Sequence, residues 1–179
     1  MTLVLRLIRQ SRWDWPGALD WLAEGDIPAD PLADFANTIE NCLSVWFLDD
    51  EKKELDALLG ALAASREKAD KLDYVLFAEE HLRFAGIEVR ATAGLTPDAQ
   101  VNACHRDLVH LSASKVLALT TRVWQDNYGT IRVAERKAVQ RVADAIRLGR
   151  FSLEDLRPRL REAVIACLDD QRGEARKPR

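Results

Sequence analysis

The densest group of side chains able to do chemistry is "NACHRDLVH", Asn102 to His110, which holds two of the chain's three histidines beside an aspartate, an arginine and a cysteine. Asp107 and His110 stand three residues apart. On a helix that spacing puts a carboxylate and an imidazole on one face, where they can share a cation. A catalytic metal usually takes three or more protein ligands. The pair is therefore only a minimal metal candidate, and the function it would serve is that of a small metal-dependent hydrolase. His105 falls on the apolar arc of the same predicted helix and reads as a hydrogen-bonded core or interface residue. His81, after Glu79 and Glu80, has no nucleophile placed beside it.

Other catalytic signatures are missing. The chain has no GxSxG elbow, no glycine-rich phosphate loop and no CxxC pair. No cofactor is expected. Cys42, Cys104 and Cys167 are odd in number and far apart, which suits a reducing compartment better than a disulfide framework.

A basic row is the best-defined feature. Arg132, Arg136, Lys137, Arg141 and Arg147 fall on one side of a helix predicted from Ile131 to Leu148, with Asp144 alone among them. Arg150, Arg157, Arg159 and Arg161 follow closely. Such a row can track a phosphate backbone or an acidic partner by charge alone. No aromatic residues interleave with it, so base stacking is not indicated. Residues 1–129 carry 13 Lys+Arg against 21 Asp+Glu, a formal charge of −8. Residues 130–179 carry 13 against 8, or +5. Trp13, Trp15 and Trp21 crowd one N-terminal segment and form a candidate docking surface, because half-buried indoles anchor interfaces well.

The elements that must position these residues are read from periodicity and punctuation. "LVLRLI" reads as a strand with an inward or edge arginine. Asp14 or Trp15 before Pro16, with Gly25 beyond, marks a short helix; Asp30 and Pro31 start another. "CLSVWFL" is apolar on every side except Ser44 and carries Val, Trp and Phe, which suit a pleated surface. "DDE" then caps a helix with Leu55, Leu58, Leu59 and Leu62 on one face. "LDYVLFA" is a further strand, and "EEHLRFAGIEVRA" gives a turn or two of helix, a Gly86 stop and a strand from Ile87. No breaker appears from Asp98 to about Gln125, so one long helix is predicted there. Thr130 should cap the helix from Ile131. Ser152 with Asp155 forms a capping box for a last helix, with Pro158 splitting its first turn.

The expected class is α+β: residues 1–94 hold a small sheet of three to four strands with flanking helices, and residues 95–171 about three helices packed on it. The alternative is an all-α bundle. Residues 172–179 are expected to be a disordered basic tail. With 179 residues, 47% of them apolar and 31% charged, the chain has the makeup of a globular protein that needs no staples. Its start is expected to be neither a secretory leader nor a membrane span. The functional expectation is a non-enzymatic cytoplasmic interaction protein, an accessory or inhibitor-type subunit with a protein partner. A nucleic-acid-binding subunit is the alternative. No membrane association is expected, and the oligomeric state stays open.

Overall fold

The computed structural model describes residues 2–14, 20–49, 51–68, 70–126 and 130–175. The chain runs β1 (Leu3–Leu7), a 3-10 turn (Gln10–Arg12), α1 (Ala29–Ala36), β2 (Leu43–Leu48), α2 (Glu51–Ala64), β3 (Leu72–Ala78), α3 (Glu80–Phe84) and β4 (Glu88–Ala91). It continues with α4 (Ala99–Asn102), β5 (His105–Val109), α5 (Ala113–Gln125), β6 (Thr130–Val133), α6 (Glu135–Arg147), a 3-10 turn (Leu153–Asp155) and α7 (Pro158–Ala175). The class is α+β. The all-α alternative is excluded, since the sequence around Val45 and Tyr74 lies in strands.

Local chemistry explains where α1 stops and β2 starts. Glu40 and Asn41 both take positive φ, 52° and 58°, while Ile39 and Cys42 exchange backbone hydrogen bonds across them at 2.9 and 3.2 Å. That is the two-residue hairpin of the type I′ class. It reverses the chain and feeds Leu43 into the sheet. Gly86, at φ 62°, does the corresponding work between α3 and β4.

The sheet has six strands among the described residues, not three to four, in the order β4-β5-β2-β1-β3-β6. The pairings β1–β2, β1–β3, β2–β5 and β4–β5 are all antiparallel. Two strands were hidden inside predicted helices. The stretch Asp98–Gln125 is not one helix, because Asp98 caps only the single turn α4 and the chain then enters β5. Ser112 starts α5 afresh. Likewise Thr130 and Ile131 lie in β6, and α6 begins at Glu135. Both strands are short and mix polar with apolar residues, so a helical face fits them as well as a pleated one. Among the described residues, those from 95 onward thus contribute four helices and two strands rather than about three helices. Of the helix expected between Pro16 and Gly25, residues 15–19 lie outside the described residues, and 20–24 form turns and irregular backbone rather than helix. α7 extends to Ala175, so 172–175 are helical in backbone; 176–179 lie outside the described residues. The capping box at Ser152 and Asp155 forms, and it closes a 3-10 turn before Pro158 opens α7.

Two compact units emerge, each built from separated segments: residues 1–49, 73–93 and 104–132, and residues 50–72, 94–103 and 133–179. They do not coincide with a division at residue 94, because antiparallel pairing brings β5 back beside β2. In the first unit Val4, Val45, Val75, Phe77 and Leu108 share a sheet face with Phe35 of α1 and Val116, Leu119 and Val123 of α5. Each such buried side chain contributes about 1.5–3 kcal/mol. Leu5, Leu48 and Leu76, on the opposite face, are buried too. In the second unit α6 packs on both α2 and α7. Gly60 permits the α2–α6 approach, since a Cβ there would sit 3.1 Å from the Arg141 carbonyl oxygen.

One polar knot lies within the first unit's core. Asp34, 6% exposed, accepts the Arg9 backbone N–H (3.1 Å), Trp13 Nε1–H (3.0 Å) and an Arg12 guanidinium N–H (2.7 Å). Arg6 is the inward arginine of β1; it donates to the carbonyl oxygens of Ser44 (3.0 Å) and Asp34 (3.1 Å). Burial lowers the Arg6 pKa below its ordinary value, against the opposing pull of the Asp34 charge. Replacing Asp34 with Ala strips three donors and is expected to remove about 3–5 kcal/mol of unfolding free energy in a urea titration. A loss under about 1 kcal/mol would show that the knot is not what holds this end together.

Candidate functional site

The basic row is largely engaged within the protein. Arg132 sits on β6 rather than on a helix and makes a bidentate pair with Asp73 at 2.7 and 3.0 Å. The Asp73 hydrogen bonds raise its pKa above the ordinary value. Arg141 pairs with Asp56 at 2.8 Å and Arg147 with Asp144 at 2.9 Å. Arg150 donates to Asp98, which is 1% exposed and caps α4 through the N–H groups of Gln100 and Val101. Arg161 closes the turn before α7 by donating to the carbonyl oxygens of Leu153, Glu154 and Leu156. Arg136, Lys137, Arg157 and Arg159 are exposed, and their side chains have no ion pair among the described residues. Asp73, Asp56 and Asp98 all lie far upstream, so no sequence spacing flagged these partners.

The two described tryptophans of the N-terminal segment, Trp13 and Trp21, differ in burial. Trp13 is 7% exposed and packs against Phe35 and Trp124, each with ring centroids 5.9 Å away, while its N–H serves Asp34. It is part of the buried core, not half-buried as expected. Trp15 lies outside the described residues. Trp21 is 60% exposed.

"NACHRDLVH" is a strand with a cross-strand polar cluster rather than a helix face. Ser44 and Trp46 on β2 stand opposite Asp107 and His105 on β5. Asp107 accepts the Ser44 hydroxyl at 3.1 Å; His105 bonds Thr92 through Nδ1 at 2.9 Å and meets Trp46 edge-on, centroids 5.0 Å apart. His105 Nε2 is 3.9 Å from Asp107, and the Trp46 indole N–H is buried with no hydrogen-bond partner among the described residues. His105 is thus a buried, hydrogen-bonded histidine. His110 lies past the strand end at φ 54° and faces Glu88 at 2.9 Å. Asp107 and His110 are each tied to a different partner, and no group of three or more His, Cys, Asp or Glu side chains converges among the described residues. A hydroxyl bonded to a carboxylate, with the imidazole committed to a threonine, does not make the nucleophile–base contact that acyl transfer needs.

The exposed rim at this end of the first unit is its least conventional backbone. Glu40, Asn41 and His110 are the non-glycine residues at positive φ among those described. Asn and His tolerate that region better than Glu, whose carbonyl oxygen accepts the weak Cys42 S–H donor at 3.6 Å. The Asn41 carbonyl accepts the Leu111 N–H at 3.1 Å, fastening the hairpin to the β5–α5 turn. Ile39, at the hairpin's mouth, is 81% exposed. In the second unit a groove of about 480 Å³ is lined by Ser65, Leu95, Thr96, Glu154, Asp155 and Arg157. The Asp155 carboxyl is held below its ordinary pKa by the Ser152 backbone N–H and hydroxyl, which fixes it as a cap.

His81 escaped the sequence reading. It is 1% exposed, stacks on Phe77 at 6.3 Å between centroids, and contacts Asp126 at 2.7 Å. Burial lowers its pKa below 6.5; Asp126 opposes and Arg122 reinforces the shift. The folded chain therefore binds this proton less readily than the unfolded chain, so the stability it gives is full above about pH 6.5 and declines as pH falls below. Urea midpoints measured between pH 8 and 5 should fall for the parent and fall less for His81→Gln; equal slopes would refute the assignment.

No family model, no curated protein and no solved structure matches the chain.

Proposed function

We propose that the chain is a non-enzymatic interaction protein, an accessory or inhibitor-type subunit, and that its docking element is the Ile39–Asn41 hairpin. The observation that carries this reading is Glu40 held at φ 52° beside an 81% exposed isoleucine. Left-handed backbone at a non-glycine residue costs about 1–2 kcal/mol and tends to persist at sites that use the resulting shape. The strain presents an apolar side chain and an acidic one at the tip of a turn whose backbone is otherwise bonded. A fitting partner offers an apolar pocket for Ile39 with a basic rim for Glu40.

Nucleic-acid binding is the second reading, favoured by Arg136, Lys137, Arg157 and Arg159, exposed and without ion pairs among the described residues. Four neutralised phosphates correspond to a slope of about −3.6 in log affinity against log salt, short of a strong binder. Charge therefore supports only weak, salt-sensitive binding there, and the hairpin reading ranks first. The described residues include no helix long and apolar enough to cross a membrane.

Affinity capture from host lysate, followed by calorimetry with the captured protein, tests the first reading. Ile39→Arg is expected to weaken binding at least about tenfold without loss of stability, because the side chain is exposed. Glu40→Gly is expected to raise stability by about 1 kcal/mol while weakening the same complex. Unchanged affinity in both variants would remove the hairpin from the interface. A gel shift that survives Arg136→Glu with Lys137→Glu would dispose of the nucleic-acid reading.

A further inference from the structure

The sheet ends at β4, whose four residues Glu88, Val89, Arg90 and Ala91 are all exposed. One side of the strand pairs with β5, Glu88 opposite Val109 and Arg90 opposite Asp107. The outer side carries the backbone N–H and C=O groups of alternate residues, a template for another strand. Charged side chains usually blunt such an edge. Here the charges complement themselves.

We infer that β4 is a self-association edge, and that its occupant is β4 of a second copy, paired antiparallel about Val89. A two-fold axis normal to the sheet keeps each face continuous across the junction, so opposed residues share a face. Centring it on Val89 sets Glu88 against Arg90 of the second copy and Arg90 against Glu88, with Val89 meeting Val89 between them. One step further, Ile87 meets Ala91. Glu88 and Arg90 project to the same face of their strand, so both ion pairs form on one side of the new junction. Sliding the register by two residues in either direction sets Glu88 against Glu88 or Arg90 against Arg90. Like charges directly opposite are destabilising, so the four-residue edge accepts one register and rejects its neighbours. Arg90 has no ion pair among the described residues and is exposed. Glu88 is bonded to His110 through one oxygen, and its side chain is 55% exposed, which leaves the second oxygen for an incoming guanidinium. Such an isologous contact closes on itself as a dimer rather than extending into fibres. It goes beyond the hairpin reading and does not rest on it, since the hairpin residues take no part.

Sedimentation velocity and light scattering on the full chain, from micromolar to millimolar concentration, test the inference. The parent should pass from the mass of one chain to that of two. Glu88→Arg and Arg90→Glu, each turning both pairs repulsive, should weaken association by about tenfold or more. An equimolar mixture of these two variants should recover it as a heterodimer, and the double exchange E88R/R90E should recover the homodimer. Far-UV circular dichroism confirms that each variant is folded. A parent that stays at one-chain mass throughout, single variants that dimerise like the parent, or a mixture that associates no better than its components would each overturn it.

Discussion

The buried Asp34 carboxylate is the constraint on which the first unit's arrangement depends. A carboxylate inside an apolar core is tolerated only when its lone pairs are filled, and removing one partner of such a group is far worse than never having built it. Asp34 is filled from one direction: Arg9, Arg12 and Trp13 all come from the segment that leaves β1. That segment must therefore turn back over α1 immediately after the strand. Trp13 is then fixed between Phe35 and Trp124, which brings α1 and α5 together over the sheet. Arg6 adds a second tie, because its guanidinium bonds backbone carbonyls on both α1 and β2. One acid, placed by the helix that carries it, sets the positions of two helices and two strands.

The charge division along the sequence has a structural use that its linear form conceals. Acids from the first 129 residues meet bases from the last fifty: Asp73 with Arg132, Asp56 with Arg141, Asp98 with Arg150. The first two involve exposed partners and are worth little individually. The third is different, because Asp98 is 1% exposed and caps α4 as well as receiving Arg150. Much of the apparent polycation is thus spent on folding. The net field available to an outside polyanion is smaller than the +5 of the segment suggests.

Legibility in the sequence followed the strength of the local signal. β2 and β3 could be read because runs such as "LSVWFL" and "LDYVLFA" are too uniformly apolar and too rich in aromatic and branched residues for an amphipathic helix. The Ser152 box and the Pro158 start were legible because capping is a chemistry of near neighbours. β5 was not legible. "HRDLV" carries three polar residues in five, and their partners Ser44 and Thr92 sit 63 and 13 residues away. A tertiary network overrode a local pattern. The same holds for the candidate site. Periodicity located the basic side of α6 correctly, but whether each arginine was free depended on acids that no spacing rule connects to it. The burial of Trp13 was not legible for the converse reason, since its clustering with Trp15 and Trp21 says nothing of the buried acceptor that holds it.

Two places remain where local rules are broken without an evident return in stability, and both lie on exposed parts of the first unit. A globular domain holds only about 5–15 kcal/mol of net stability, so a left-handed glutamate costing about 1–2 kcal/mol is a sizeable fraction of it. Glycine at position 40 would relieve it with no loss of buried contact, because the residue is exposed. The β4 edge presents a milder conflict, four exposed residues in a strand that pairs on one side only. In the interior, by contrast, the Asp34 knot is filled by three donors and His81 is held against Asp126. Most buried polar groups are engaged, with the Trp46 N–H and Arg6 Nε among the exceptions, while the strained backbone lies at exposed residues. At the β2–β5 cluster Ser44 is bonded to Asp107 and His105 to Thr92, so the hydroxyl and the imidazole are each engaged with a different group.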